Sequence, residues 1–166
     1  MITAEEFLTA AKKFVLISNK ICDGWKLIEN EWDINQSYIS KETFIECGVG
    51  DDVSLLKAEY IIFYNLSYGV PSFSFNIWNS SGMLLSLEDV RQLSFISTNP
   101  KEFYSIITQQ EHPLFQRPYF IMHPCHTEEL LTSLQDKTAN VIVTFLGLVT
   151  PLIQLKLPLE YGLKQL

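Results

Sequence analysis

The sequence predicts an α+β domain built on one antiparallel sheet, and three observations lead to this fold class. A helical period opens the chain, period-two alternation follows in its first half, and apolar helical stretches return towards the end. The order is therefore a helix, about four strands, an irregular segment and further helices. We expect one domain over residues 1–166, which is long enough to bury its own core.

The first helix is predicted from a capping box and the helical period behind it. Thr3 and Glu6 have the spacing at which each side chain bonds the other residue's backbone N–H group. The apolar residues that follow at helical spacing are Phe7, Leu8, Ala11, Phe14 and Val15. Cys-Asp-Gly at residues 22–24 should end the helix.

Four segments show the alternation that is typical of strands. Residues 25–32 and 37–47 predict a first antiparallel pair across a polar turn. Residues 57–68 and 71–78 give the strongest strand signals, and Gly69 marks the turn between them. Together they make one antiparallel sheet the natural centre of the fold.

The second half of the chain is predicted to contain short helices. Ser86, three residues before an aspartate, can cap the first of them. Residues 100–118 show no clear period and are interpreted as irregular. Thr127 is predicted to cap a helix over about 128–135, and a more apolar helix should cover 139–149.

Composition argues against nucleic-acid and membrane functions. The formal net charge is −7, and the twelve Lys and Arg residues are scattered. No basic stripe is present to bind phosphates, and no basic amphipathic helix to lie on an anionic membrane. The longest apolar stretch, residues 141–153, is too short to span a bilayer and contains Pro151. We therefore expect no nucleic-acid partner and no membrane insertion.

Cysteine usage predicts a reduced, cytoplasmic protein. The three cysteines are widely spaced, and the first residues lack the pattern of a secretory signal. Cys22 and Cys47 stand at the ends of an apolar helix and a strand, so we interpret them as inert packing residues.

Cys125, within the sequence FIMHPCHTEELL (residues 120–131), has different surroundings. Pro124 restricts the chain before it, which biases His123 towards an extended conformation. The predicted helix that follows would place the cysteine near a positive dipole end, which favours a thiolate. Two glutamates after Thr127 oppose that effect. A functional thiol therefore competes with a packing cysteine.

Three kinds of chemistry remain open for this cysteine. A zinc site would recruit His112, His123, Cys125 and His126, but adjacent ligands do not fit the usual spacing. A cysteine hydrolase needs a base from elsewhere in the fold, whereas every histidine lies between residues 112 and 126. Transfer of an acyl group from another thioester needs only exposure and modest activation. Acyl transfer fits the sparse surroundings best.

Four separated motifs in the right order resemble the autophagy ubiquitin-like-conjugating enzymes, in a similarity that covers about residues 57–162. They are YNLSYGVPSFSF (64–75), ITQQEHP (107–113), RPYFIMHPCHT (117–127) and GLVTPLIQLKLPLEYG (147–162). Two branches share His-Pro-Cys, those of autophagy-related proteins three and ten. Thr127 completes the His-Pro-Cys-x-Thr of the protein ten branch, and the large insertion of the protein three branch is missing here.

The resemblance implies a fold like that of ubiquitin-conjugating enzymes and a transferase activity without metal or cofactor. Cys125 would receive autophagy-related protein twelve as a thioester from the activating enzyme, autophagy-related protein seven. It would then pass the modifier to a lysine of autophagy-related protein five. The alternative is a non-catalytic adaptor that keeps the fold. A lipid-conjugating role, as in the protein three branch, is disfavoured by Thr127 and by length.

The resemblance also assigns roles around Cys125. His123 matches the histidine of the motif and is expected to bond the loop backbone. Thr127 is expected to cap the helix, at a cost of about 1 kcal/mol if lost. His126 falls at the variable position and is interpreted as a solvated bystander.

The oxyanion donor is not assigned by the resemblance. Ordinary ubiquitin-conjugating enzymes use a His-Pro-Asn tripeptide, which this chain lacks. Gln109 and Asn76 are candidates to stabilise the developing negative charge. Gln109 and His112 have an equally good interpretation as a polar segment that braces the active-site loop.

The aromatic residues are divided between core and surface. The set predicted to lie in the core is Tyr60, Phe63, Phe73, Phe75 and Phe145. Tyr64, Tyr68 and Trp78 are predicted to be exposed, either on a partner-binding surface or on an ordinary sheet face.

Overall fold

The computed structural model describes residues 1–49, 51–93, 100–134, 139–153 and 155–163. The helices are α1 (Ala4–Ile21), α2 (Leu87–Leu93), α3 (Pro100–Ile106), α4 (Cys125–Leu134) and α5 (Val141–Val149). The strands are β1 (Lys26–Ile28), β2 (Tyr38–Val49), β3 (Asp52–Asn65), β4 (Val70–Trp78), β5 (Ile107–Glu111) and β6 (Pro118–Met122). Short 3-10 turns occupy residues 34–36, 150–152 and 159–161.

All six strands form a single sheet in the order β1-β2-β3-β4-β6-β5, and every neighbouring pair is antiparallel. The predicted α+β class is therefore confirmed, but about four strands were too few. The two extra strands, β5 and β6, lie in and just after the stretch that we interpreted as irregular. β6 is buried between two strands and reads as an unbroken apolar run, while β5 is mostly polar at the edge. Neither shows alternation, so period-two reasoning missed them.

Helix α1 begins and ends as the sequence predicts. Thr3 accepts the backbone N–H group of Glu6, and the Glu6 carboxylate accepts that of Thr3. Cys22 closes the helix in the left-handed region at φ 56°. Cys22 is exposed and Cys47 only half-buried, so our interpretation of Cys22 as a packing residue was wrong.

The sheet has a helical face and an opposite face with a smaller cluster, because side chains alternate along each strand. On the helical face, Phe73 and Phe75 pack with Phe14 of α1 and Phe145 of α5. The opposite face buries Ile61, Phe63, Tyr119 and Ile121 beneath Leu114 and Phe115. The five predicted core aromatics are all buried, with Phe63 in the smaller cluster.

The three aromatics that we expected to be exposed are not on an open surface. Tyr64 is 9% exposed, and its hydroxyl donates to the carbonyl of Ile2 at 2.9 Å. Tyr68 and Trp78 are half-buried. These positions are set by contacts with distant segments, which local alternation does not register.

Helix α2 follows its predicted cap, Ser86, and α5 follows a cap at Asn140. Ser86 Oγ accepts the N–H group of Asp89 at 3.1 Å, and the Asp89 carboxylate accepts that of Ser86 at 2.9 Å. Asn140 caps α5 and also donates from Nδ2 to the carbonyl of Ala10 at 2.9 Å, which ties α5 to α1. The predicted helix over 139–149 is confirmed within two residues.

In the part of the chain that the structure describes, no helix combines the length and apolar character needed to cross a membrane.

Candidate active site

Cys125 stands where the chain changes from a buried strand to a helix. β6 continues one residue beyond its end, because the N–H group of His123 donates to the carbonyl of Ile106 at 2.7 Å. Two residues later, Cys125 is the first residue of α4. The carbonyl of Pro124 accepts the N–H groups of Thr127 and Glu128, both at 3.0 Å, and so closes the first turn. The position of the Cys125 backbone is thus fixed from both sides.

The start of α4 provides the electrostatic setting of the cysteine. The first N–H groups of a helix have no acceptor within it and lie at the positive end of its dipole. The positive end of this dipole favours an anion near the start of α4, and Glu128 in the same first turn adds a negative charge there.

Thr127 does not cap the helix, so that prediction was wrong. The helix begins two residues earlier than expected, and Thr127 is its third residue, 8% exposed. Pro124 directly precedes the first helical residue. Proline is tolerated there because the N–H group that it lacks has no acceptor at the start of a helix. Thr127 is instead a buried residue of the first turn, where its contribution comes from packing.

Tyr68 reaches the active-site segment from the turn between β3 and β4. Its ring lies 6.4 Å from the ring of His123, centroid to centroid, at an interplanar angle of 74°. Asn65 shapes this turn by accepting the N–H groups of Ser67 at 3.1 Å and Tyr68 at 3.3 Å. Gly69 completes it at φ +62°, where a Cβ atom would lie 3.2 Å from that of Met1. Tyr68 is the site residue that sequence reasoning placed on the surface.

His112 lies at the other end of the β5–β6 hairpin. Five strand residues separate it from the active-site end, which corresponds to about 17 Å at roughly 3.4 Å per residue. Its ring is fully buried, stacks on Phe115 at 4.5 Å and places Nε2 3.0 Å from Ser74 Oγ. His112 therefore braces the hairpin loop, residues 112–117, on the sheet face opposite the helices. Its predicted support of the active-site loop was wrong.

The hydrogen bonds of His112 define its neutral tautomer. The N–H group of Leu114 donates to Nδ1 at 3.1 Å, so the ring proton is on Nε2 and is donated to Ser74. Burial, and then the positive charge of Arg117, lower the pKa of His112 to about 4. The imidazole is consequently uncharged near neutral pH.

The position of His112 bears on the zinc site that we considered. Four ligands must converge on one ion at about 2.0–2.3 Å, and His112 lies at the end of β5 away from the segment that carries His123. Among the described residues, no group of three or more His, Cys, Asp or Glu side chains is arranged to hold a metal.

The two candidate oxyanion donors differ in position. Asn76 faces the opposite side of the sheet from the helices, and its Nδ2 donates to the carbonyl of Pro118 at 3.0 Å. Pro118 begins β6, whereas Cys125 follows the other end, so the prediction for Asn76 was wrong. Gln109 is exposed in the middle of β5, opposite Phe120. Its side chain points to the helical face, and its role stays a prediction.

Comparison with known proteins gives this geometry a family. The model of the family described as "Autophagocytosis associated protein, active-site domain" matches residues 6–160. The ubiquitin-like-conjugating enzyme ATG10 of Homo sapiens is 33% identical over 133 residues, which cover 71% of this chain and 57% of that protein. ATG10 of Arabidopsis thaliana is 31% identical over 115 residues, covering 61% and 51%. ATG10 of Dictyostelium discoideum is 28% identical over 120 residues, covering 61% and 52%.

The extent of these matches differs between the two comparisons. The chain spans about half the length of the curated relatives it matches. The family model, by contrast, covers almost the whole chain, including the strand-to-helix junction at Cys125. The chain therefore belongs to the family of autophagocytosis-associated proteins and contains its active-site domain.

Proposed function

We propose that this protein is a ubiquitin-like-conjugating enzyme of autophagy that carries its modifier as a thioester on Cys125. The observation that supports this most directly is the placement of Cys125 as the first residue of α4, shortly after the buried strand β6. This placement holds the backbone of the nucleophile rigidly while leaving it at a helix start, where thiolates are favoured. A non-catalytic adaptor has no need for that arrangement.

The proposed reaction consists of two acyl transfers. The Cys125 thiolate attacks the thioester carbonyl of the modifier on the activating enzyme, a new C–S bond forms, and the activating enzyme's thiolate leaves. A lysine amine of the target then attacks the same carbonyl. The amide bond forms, Cys125 leaves as a thiolate, and the proton lost by the amine passes to solvent. Both steps need an exposed thiol and no cofactor.

The proposed partners follow from the motif and from the relatives. The modifier is autophagy-related protein twelve, the activating enzyme is autophagy-related protein seven, and the target is autophagy-related protein five. The three relatives, all ubiquitin-like-conjugating enzymes by name, support the enzyme class. The His-Pro-Cys-x-Thr motif around Cys125 supports this branch of the family. The proposed location is the cytoplasm.

Backbone groups can replace the missing asparagine of ordinary conjugating enzymes. The carbonyl oxygen of the thioester becomes negative as the amine attacks, and it needs donors in place beforehand. The free N–H groups at the start of a helix are suitable donors. We propose that the backbone N–H groups of Cys125 and His126 supply them, since those of Thr127 and Glu128 donate to the carbonyl of Pro124.

Tyr68 is expected to position His123 and, through it, the segment that carries Cys125. Tyr68→Leu removes the ring contact and should slow transfer to the target roughly threefold to tenfold, because small misplacements of a reacting group are costly. Tyr68→Phe keeps the ring and serves as the matched control. The rate is measured as discharge of pre-charged enzyme in a single turnover. Equal discharge rates for the leucine and phenylalanine variants would show that the contact has no role.

A charging assay on a protein with one thiol tests the proposed function. Cys22→Ser with Cys47→Ser leaves Cys125 as the sole cysteine. This variant is mixed with the activating enzyme, ATP and the modifier, and the products are separated with and without reductant. We expect an adduct that reductant removes. No adduct, with an activating enzyme shown to charge itself, would overturn the proposal and favour the adaptor.

A further inference from the structure

β5 is the outermost strand on the active-site side of the sheet. It pairs with β6 on its inner side, and within the described residues no strand pairs with its outer edge. Such an edge exposes backbone N–H and C=O groups that can bind an extended polypeptide.

The hydrogen bonds at both ends of the β5–β6 hairpin show which groups face outward. His112 donates to the carbonyl of Arg117 at 2.9 Å, and His123 donates to that of Ile106 at 2.7 Å. These two hydrogen-bonded pairs lie at the ends of a continuous one-to-one pairing of β5 with β6. In an antiparallel ladder, hydrogen-bonded residue pairs alternate with pairs that are not hydrogen-bonded. The backbone groups of residues 108 and 110 therefore face β6. Those of Gln109 and Glu111 face outward.

This edge lacks the devices that usually block strand addition. β5 has no proline, no lysine and no bulge, since its five residues pair one to one with β6. The side chains of Gln109, Gln110 and Glu111 are exposed. The edge is consequently exposed at these three residues, about 10 Å at roughly 3.4 Å per residue.

The edge also leads directly to Cys125. Ile107 pairs with Met122, the last residue of β6, and the following residues, His123 and Pro124, connect to Cys125. A strand added antiparallel to β5 would run from the Glu111 end to the Ile107 end. Its carboxyl end would then arrive where the chain turns towards the nucleophile. A parallel strand would present its amino end there instead.

We propose that the C-terminal tail of the ubiquitin-like modifier binds as an added strand antiparallel to β5, with the outward backbone groups of Gln109 and Glu111 as its partners. This inference rests on the proposed function, because only a modifier joined to Cys125 must end at that point. An extended tail would offer backbone N–H and C=O groups to these partners, and the Glu111 carboxylate would favour a basic residue beside it. Pairing of two copies of this chain is opposed by a charge of −7 on each.

Proline at position 109 tests the outward hydrogen bonds without removing one that β5 makes to β6. Gln109→Pro deletes the outward N–H group, and proline is tolerated on an edge strand in that orientation. Gln109→Thr removes the same side chain but keeps the N–H group. We expect the proline variant to be charged at least about fivefold more slowly than the threonine variant. Equal charging rates would overturn the inference.

Amide hydrogen exchange on the wild-type protein gives a second readout that needs no substitution in β5. The amides of Gln109 and Glu111 should exchange more slowly in the protein charged with modifier than in the free protein. Unchanged exchange at both positions in the charged protein would also overturn the inference.

The two readouts separate this inference from the proposed function. If the wild-type protein is charged but the two variants behave alike and exchange is unchanged, only tail binding to β5 is wrong. If the wild-type protein is not charged by an active upstream enzyme, the proposed function fails and tail binding fails with it.

Discussion

Replacing Cys125 by serine is expected to convert a reductant-sensitive adduct into one that reductant does not remove and that forms at least about 100-fold more slowly. A serine hydroxyl loses its proton far less readily than a cysteine thiol. It therefore attacks a thioester poorly without a dedicated base. The ester that does form is a weaker acyl donor than a thioester. Conjugation of the target should therefore stop.

The measurement is a pair of assays on the same protein, adduct formation and transfer to the target, each with and without reductant. Cys47→Ser is the matched control, because Cys47 is half-buried at the far end of β2 and should be dispensable. Target conjugation at the wild-type rate by the Cys125→Ser protein would show that another group carries the modifier.

Acidification is expected to destabilise the fold through His112, the second large effect. The pKa of this ring is about 4 in the folded protein and about 6.5 in an unfolded chain. The unfolded state therefore binds more protons between these values, and the free energy of unfolding falls as the pH falls. Between pH 7 and pH 5 this group alone should reduce the free energy of unfolding by about 2 kcal/mol.

Urea unfolding at pH 7 and pH 5 measures this loss, with His112→Gln as the comparison. Glutamine does not titrate, so the variant should lose about 2 kcal/mol less than the wild type between the two pH values, although it starts from a lower stability. An identical pH dependence in both proteins would mean that burial and the charge of Arg117 do not hold His112 neutral.

Elements whose local pattern agrees with their final environment could be predicted from the sequence. The capping box of Thr3 and Glu6 specifies where α1 begins, because both hydrogen bonds lie within one turn. The β3–β4 hairpin is equally local, since Gly69 supplies the positive φ of its turn. β5 and β6 could not be found this way, because an edge strand and a doubly buried strand both lose the alternation of a one-sided sheet.

The candidate site also contains residues that the local sequence predicts and residues whose role depends on distant segments. The His-Pro-Cys motif points to Cys125 as the candidate nucleophile through its family resemblance, and this stays a prediction. The roles given to His112, Asn76 and Thr127 were wrong because each depends on packing against a distant segment. His112 is drawn under Phe115 to the far end of the hairpin, and Asn76 bonds Pro118 instead of facing the cysteine.

The sequence by itself determined the fold class, the first helix and the central strands, because these depend on hydrogen bonds and periodicity within a few residues. Only the tertiary structure decided the insertion of β6 between β4 and β5, the contact of Tyr68 with His123 and the open edge of β5. Each of these joins segments far apart in the chain. Their pairing is selected by the burial of the whole sheet, which no local pattern records.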